Sequence, residues 1–200
     1  IFAVAAMAAS AGFAVAQGAS APAIGKPAPI FSAKDSDGKT VSLADYKGRT
    51  VVLEWTNDEC PFVRKHYGGQ NMQALQKKWT EKGVVWLTVI SSPPGEQGYA
   101  DGAKANKLTA ERRAAPTAVI LDPKGDLGRS YKALTTPHMY IVKGDGTLAY
   151  MGGIDDKPSA SPASLEGAKS YIRQAVAELK AGKPVSEPAT KAYGCAIKLA

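Results

Sequence analysis

Cysteine is scarce: only Cys60 and Cys195 occur in 200 residues, separated by more than a hundred positions. No local dithiol motif is therefore possible, and in EWTNDECPFVRKHY, residues 54–67, Val63 stands where a dithiol enzyme would carry its second cysteine. After the opening apolar run, no stretch approaches the length needed to span a bilayer. The net charge is +7, but Lys and Arg are scattered among Asp and Glu instead of clustering with aromatics. Such a surface gives no footprint for a nucleic-acid partner. Internal repeats are also lacking.

What is present suits one ordinary domain: 200 residues at 44% hydrophobic can build a full-sized core. The opening IFAVAAMAASAGFAVAQGASA, 1–21, is uncharged, rich in small apolar residues and contains small-x-small cleavage patterns, as a secretory signal peptide does. The expectation is a domain over 22–183 and a polar tail over 184–200, periplasmic or secreted, with no membrane contact once the leader is removed. Disulfides persist in such a compartment.

Periodicity predicts the elements. Alternating runs around Asp37-Gly38 and around Gly144-Asp145-Gly146 predict two hairpins. Thr50–Thr56 and Val84–Ser91 are continuous apolar runs, as in strands covered on both faces, and Thr117–Asp122 predicts a third. A helical pattern runs from Cys60 to about Lys82, weakened or kinked at Gly68-Gly69. Short helices are predicted near 103–113 and 127–133, and an amphipathic helix over Ser164–Lys183. Early crossovers demand parallel pairing and the late hairpin antiparallel pairing, which makes an α/β fold with a mixed sheet and helices on both faces.

Cys60 falls between the carboxyl end of a buried strand and the first turn of a helix, the crevice edge where open α/β sheets bind ligands. Free backbone N–H groups and the helix dipole favour a thiolate there, with Arg64, Lys65 and His66 adding positive charge and Asp58 and Glu59 opposing it. Thr136-Pro137 opens a later strand, where proline marks a tight turn. A buried, inert cysteine is the plain structural alternative.

The W-T-N-x-x-C-P-F-V segment after a buried strand, the T-P before a later strand with a G-D-G hairpin, and the closing helix resemble the thioredoxin-like superfamily. More narrowly, they resemble its redoxin branch of alkyl hydroperoxide reductase and thiol-specific antioxidant (AhpC/TSA, peroxiredoxin-like) proteins, over roughly 24–182. The ending Y-G-C is similar to that of secreted redoxin-like proteins. The resemblance implies a thioredoxin-like fold with an N-terminal β-hairpin extension. It also implies that Cys60 is the attacking thiol, that Pro137 is the cis-proline facing it, and that Thr136 offers backbone hydrogen bonds to a bound thiol or peptide. Two departures stand out: the resolving position is Val63, and the peroxidase pattern P-x-x-x-T-x-x-C has Leu53 and Asn57 for its proline and threonine. Asn57 can still donate a hydrogen bond to a peroxide or thiolate. Arg129, Arg112 and Arg113 are candidates by location for the arginine that peroxiredoxins use.

Cys195 is then the internal candidate to resolve the oxidised Cys60 from a flexible tail; a permanent Cys60–Cys195 bridge would contribute about 5 kcal/mol in chain-entropy terms. The leading expectation is a cofactor-free thiol oxidoreductase that reduces hydroperoxide, with protein disulfides as the second substrate guess and an external thiol as reductant. Two other classes stay open. One is a copper or thiol carrier using Cys60, His66, His138 and Met139 as soft ligands, with Cys195 adding another; the other is a non-catalytic module that binds a partner through Phe62 and Tyr67.

Overall fold

The computed structural model describes residues 21–200, so the signal-peptide expectation lies, apart from residue 21, outside the described residues. The described residues form nine strands: β1 (Ser32–Asp35), β2 (Thr40–Ser42), β3 (Val51–Trp55), β4 (Val85–Ile90), β5 (Ala118–Leu121), β6 (Thr135–Thr136), β7 (His138–Val142), β8 (Leu148–Gly152) and β9 (Cys195–Ala196). The helices are α1 (Pro61–Gly68), α2 (Asn71–Thr80), α3 (Gly102–Glu111), α4 (Asp126–Ser130) and α5 (Tyr171–Lys180).

Seven strands form one mixed sheet in the order β2-β1-β5-β4-β3-β7-β8. β3, β4 and β5 run parallel to one another, while β7, β8 and the β1–β2 hairpin are antiparallel additions. Every residue of β3 and β4 is buried, as expected of central strands covered on both faces.

Alternation along β3 sorts the core into two layers. Val51, Leu53 and Trp55 face one side with Leu127 and Tyr131 from the α4 region; Val52 faces the other with Val63, Met72, Leu75 and Ile172 from α1, α2 and α5. Cys60 belongs to this second layer. The mixed sheet with helices on both faces is the thioredoxin-like fold that the resemblance implies.

Two helices depart from expectation. The long helix after Cys60 is not merely kinked: Gly69 ends α1, and Gln70, with φ 58°, starts a new helix. A Cβ at Gly69 would meet Leu165 Cδ1 at 2.3 Å and Lys65 O at 3.0 Å, so a larger residue there requires the Leu165 side chain to move. The last helix begins at Tyr171, not Ser164, because Ser170 is the residue whose hydroxyl caps the Arg173 N–H, at 3.2 Å. Residues 162–165 make a separate 3₁₀ turn, and Gly167, with φ 66°, breaks the path between them.

Candidate active site

Cys60 is the N-cap of α1, in extended conformation, and Pro61 takes the first helical position, where a missing N–H costs nothing. Its N–H donates to Asn57 O at 3.1 Å and its carbonyl accepts from Arg64 N–H at 2.9 Å. This local turn points the sulfur inward, fully buried. The Sγ lies 3.1 Å from Thr136 O, to which the neutral thiol donates. The Thr136–Pro137 peptide is cis.

Opposite the sulfur stands the tail. β9 pairs antiparallel with β6, setting Cys195 across from Thr136 and Ala196 across from Thr135, and Ile197 N–H donates to Leu134 O at 3.1 Å. Gly194 makes the approach possible. It has φ 141°, and a Cβ there would sit 2.0 Å from Thr136 O. The tail, expected to be flexible, is instead tied along its length: Met151 N–H donates to Pro188 O, Thr190 N–H to Met151 O, and Arg129 Nη1 to Ala200 O. These bonds satisfy backbone at the edges of β8 and β6, which a sequence rich in polar residues does not reveal.

The two thiols, both free, are driven apart in acidity. Burial pushes the Cys60 thiol up, but the Cys195 S–H, the Thr136 side chain and the N–H groups of Val63 and Cys195 outweigh it and bring Cys60 below its ordinary value. The Thr136 hydroxyl is itself buried without a hydrogen-bond partner. Cys195 is pushed up to about 12 by burial and by facing Cys60. A low-pKa sulfur therefore sits at a helix N-terminus beside a protonated one.

The expected charge support from α1 is corrected. His66 is buried and held neutral, its pKa lowered to about 4 by desolvation and by Lys65 against the pull of Asp155. Its Nε2 faces the Tyr193 hydroxyl at 3.3 Å and its Nδ1 the Asn71 amide at 2.9 Å. Lys65 is likewise buried and directed at Asp155, 3.7 Å away, and at Lys157 O. Arg64 donates its Nε–H to Asp58 O. Neither cation beside His66 is free to serve the sulfur, so helix N-terminus and local donors carry that task.

Asn57, the expected donor to a peroxide, is spent on the loops. Its Oδ1 accepts from Glu59 N–H at 2.9 Å and its Nδ2 donates to Gln97 O at 3.3 Å. The candidate arginines are engaged elsewhere: Arg129 with Lys124 O, Asp126 and Ala200 O, and Arg112 over the Tyr67 ring at 4.4 Å; Arg113, with φ 52°, terminates α3. The soft-ligand set also comes apart. His138 and Met139 are neighbours in β7 and so face opposite sides of the sheet, and His66 is committed as above. Among the described residues no group of three or more His, Cys, Asp and Glu is placed to hold a metal ion. Phe62 and Tyr67 do not form an exposed surface, since Tyr67 is buried and Phe62 packs edge-on against Tyr193, 5.8 Å between centroids.

One residue in this layer escapes a reading of TVVLEWT as a plain apolar run. Glu54 is wholly buried and accepts from Tyr67 Oη, Gln76 Nε2, Trp86 Nε1 and Thr88 Oγ1, at 2.8, 3.0, 2.8 and 3.2 Å. Burial raises its pKa, and the Trp86, Tyr67, Gln76 and Thr88 bonds oppose the rise. A lone acid inside an apolar strand is the signal that could have found it; its donors come from three other elements.

Comparison with known proteins gives a consistent picture. A family model described as AhpC/TSA family matches residues 24–151. The chain is 25% identical over 147 residues to the sporulation thiol-disulfide oxidoreductase A of Bacillus subtilis, covering 72% of this chain and 79% of that protein. It is 28% identical to the thiol-disulfide oxidoreductase ResA of Bacillus thuringiensis, covering 62% of this chain and 66%, just under two thirds, of that one. A solved structure of an uncharacterized conserved protein from Geobacillus kaustophilus superposes with a TM-score of 0.77 at 27% identity, covering 89% and 93% of the two chains.

Proposed function

This chain belongs to the AhpC/TSA family, and we propose that it is a thiol-disulfide oxidoreductase in which Cys60 attacks and Cys195 resolves. The observation that carries this reading is the β6–β9 pairing, which sets Cys195 opposite Thr136 while the Cys60 sulfur lies 3.1 Å from the Thr136 carbonyl.

The chemistry is ordinary thiol–disulfide exchange. The Cys60 thiolate attacks one sulfur of a substrate disulfide; a Cys60–substrate bond forms, and the other half leaves as a thiolate and takes a proton. Cys195 then loses its proton to the second departing thiolate and attacks the Cys60 sulfur. The products are the Cys60–Cys195 disulfide and a fully reduced substrate, and an external dithiol reverses the oxidation. Electrostatics orders these steps. Part of what holds Cys195 protonated is the Cys60 thiolate it faces, and that charge vanishes once Cys60 is in a mixed disulfide.

Reduction of hydroperoxides, the leading expectation from sequence, has less support. Asn57 is occupied, and no candidate arginine is directed at the sulfur. The relatives named above are called thiol-disulfide oxidoreductases. A periplasmic or secreted setting rests on the opening apolar stretch; no helix of the described residues is long and apolar enough to cross a membrane.

The test is a trapping experiment on Cys195→Ser. Incubated with a disulfide-bonded protein such as insulin, it should accumulate a mixed disulfide at Cys60, while the wild type passes to a Cys60–Cys195 bridge. A variant that forms no adduct with protein disulfides yet is oxidised rapidly by one equivalent of hydrogen peroxide would return the weight to a peroxidase.

A further inference from the structure

A buried ionic cluster lies beneath the tail, and nothing in the exchange chemistry above uses it. Lys65 and Asp155 are 0% and 2% exposed in their side chains and 3.7 Å apart, with His66 Nε2 3.8 Å from the same carboxylate oxygen. Taking two charges out of water costs more than their attraction returns unless further hydrogen bonds satisfy them. Here they do so incompletely. Asp155 Oδ2 has no hydrogen bond, and much of the remaining satisfaction comes from one tail residue. The Tyr193 hydroxyl donates to Asp155 Oδ1, accepts from Lys65 Nζ at 3.1 Å and meets His66 Nε2 at 3.3 Å. Lys65 Nζ also lies 5.1 Å from the centre of the Tyr193 ring.

Tyr193 stands two residues before Cys195, and the glycine between them is the one at which a Cβ would collide with Thr136 O. We propose that Tyr193 is a positioning residue: a releasable latch, seated in the Lys65–Asp155–His66 cluster, that docks the C-terminal strand on β6 and so both presents Cys195 to Cys60 and closes Cys60 to large disulfides. The inference rests on reading Cys195 as the resolving thiol. Its physical basis is the polarity of the seat. A latch of apolar contacts would hold the tail whatever the step, whereas undocking Tyr193 lets water reach Lys65 and Asp155, and their rehydration offsets the lost bonds. Opening is needed, because Cys60 is fully buried with the tail in place. Closing is needed as well, because a tethered thiol resolves fastest at high effective concentration.

The experiment uses the full chain with Tyr193→Phe, which keeps the ring against Phe62 and removes the hydroxyl. The wild type and variant are equilibrated across glutathione/glutathione disulfide ratios, where one glutathione disulfide and the reduced pair give two glutathiones and the Cys60–Cys195 bridge. The equilibrium constant should fall about tenfold, which is about 30 mV for this two-electron couple. In the Cys195→Ser background, Tyr193→Phe should also raise the alkylation rate of Cys60 at least fivefold. Asp155→Asn, which leaves the tail sequence intact, should reproduce both effects, and the double variant should be no worse than the stronger single one; it carries the test should Tyr193→Phe not fold. A bridge equilibrium within twofold of wild type, with unchanged alkylation, would reduce Tyr193 to packing and overturn the proposal. A wild type that forms no bridge at any ratio would instead overturn Cys195 as resolving thiol, and the alkylation rates would still judge the latch.

Discussion

Replacing His138 by Gln should make the protein resist acid better than the wild type. The imidazole is buried in β7, its Nδ1 accepting from Leu134 N–H at 3.2 Å and lying 3.2 Å from the Tyr140 hydroxyl. Desolvation lowers its pKa from an ordinary 6.5 to about 4. As pH falls, the unfolded chain therefore binds the proton first, and the folded state loses stability between about 6.5 and 4. At about 1.4 kcal/mol per pKa unit, the full loss approaches ~3 kcal/mol, of which ~2 kcal/mol has gone by pH 4.5. Gln can accept from Leu134 N–H and does not titrate. Urea denaturation at pH 7 and at pH 4.5 measures the difference directly. Near neutrality the variant should be about 1 kcal/mol weaker, through lost packing on the Tyr140 ring, 4.5 Å away; on acidification the wild type should lose about 2 kcal/mol more than the variant. Parallel pH profiles for the two proteins would refute the reasoning, because the histidine would then titrate alike folded and unfolded.

Gly194→Ala should drive β9 off β6, since its Cβ would lie 2.0 Å from Thr136 O at a φ of 141°; a loss of about 1–3 kcal/mol in urea denaturation should accompany slower bridge formation by mass spectrometry. Glu54→Gln places an amide NH₂ among four donors, and the unmatched pairs should cost about 2–3 kcal/mol in thermal or chemical unfolding. Cys195→Ala removes the S–H that helps stabilise the Cys60 thiolate; the Cys60 titration, followed by ultraviolet thiolate absorbance, should move to higher pH.

The sheet was legible because its central strands are apolar runs bounded by turn residues, and the Asp37-Gly38 and Gly144-Asp145-Gly146 hairpins carry their own turn chemistry. Cys60 was legible for the same reason, being fixed by local chain direction at the end of β3. What could not be read is what depends on distant partners. His66 and Lys65 looked like cations beside a thiol, and only Asp155 and Tyr193, about ninety or more residues on, turn them inward. The tail lacked any periodic pattern because its order comes from borrowed edges of β8 and β6, not from a face of its own. Asn57 kept the look of a site residue although its amide ties two loops.

The pairing of β9 with β6 also bears on the order in which the molecule assembles. Cys195 follows every strand of the seven-stranded sheet along the chain, so its seat on Thr136 exists only after β3, α1 and β7 have already come together. Closing so long a loop before that scaffold forms would carry a large entropic cost with no native contact to offset it. Throughout that interval Cys60 faces its surroundings without its internal partner. The expected consequence is a single-thiol stage for the nascent protein, open to intermolecular disulfides until β9 docks; non-reducing gels of refolding chains should show such dimers early, and their absence would refute it.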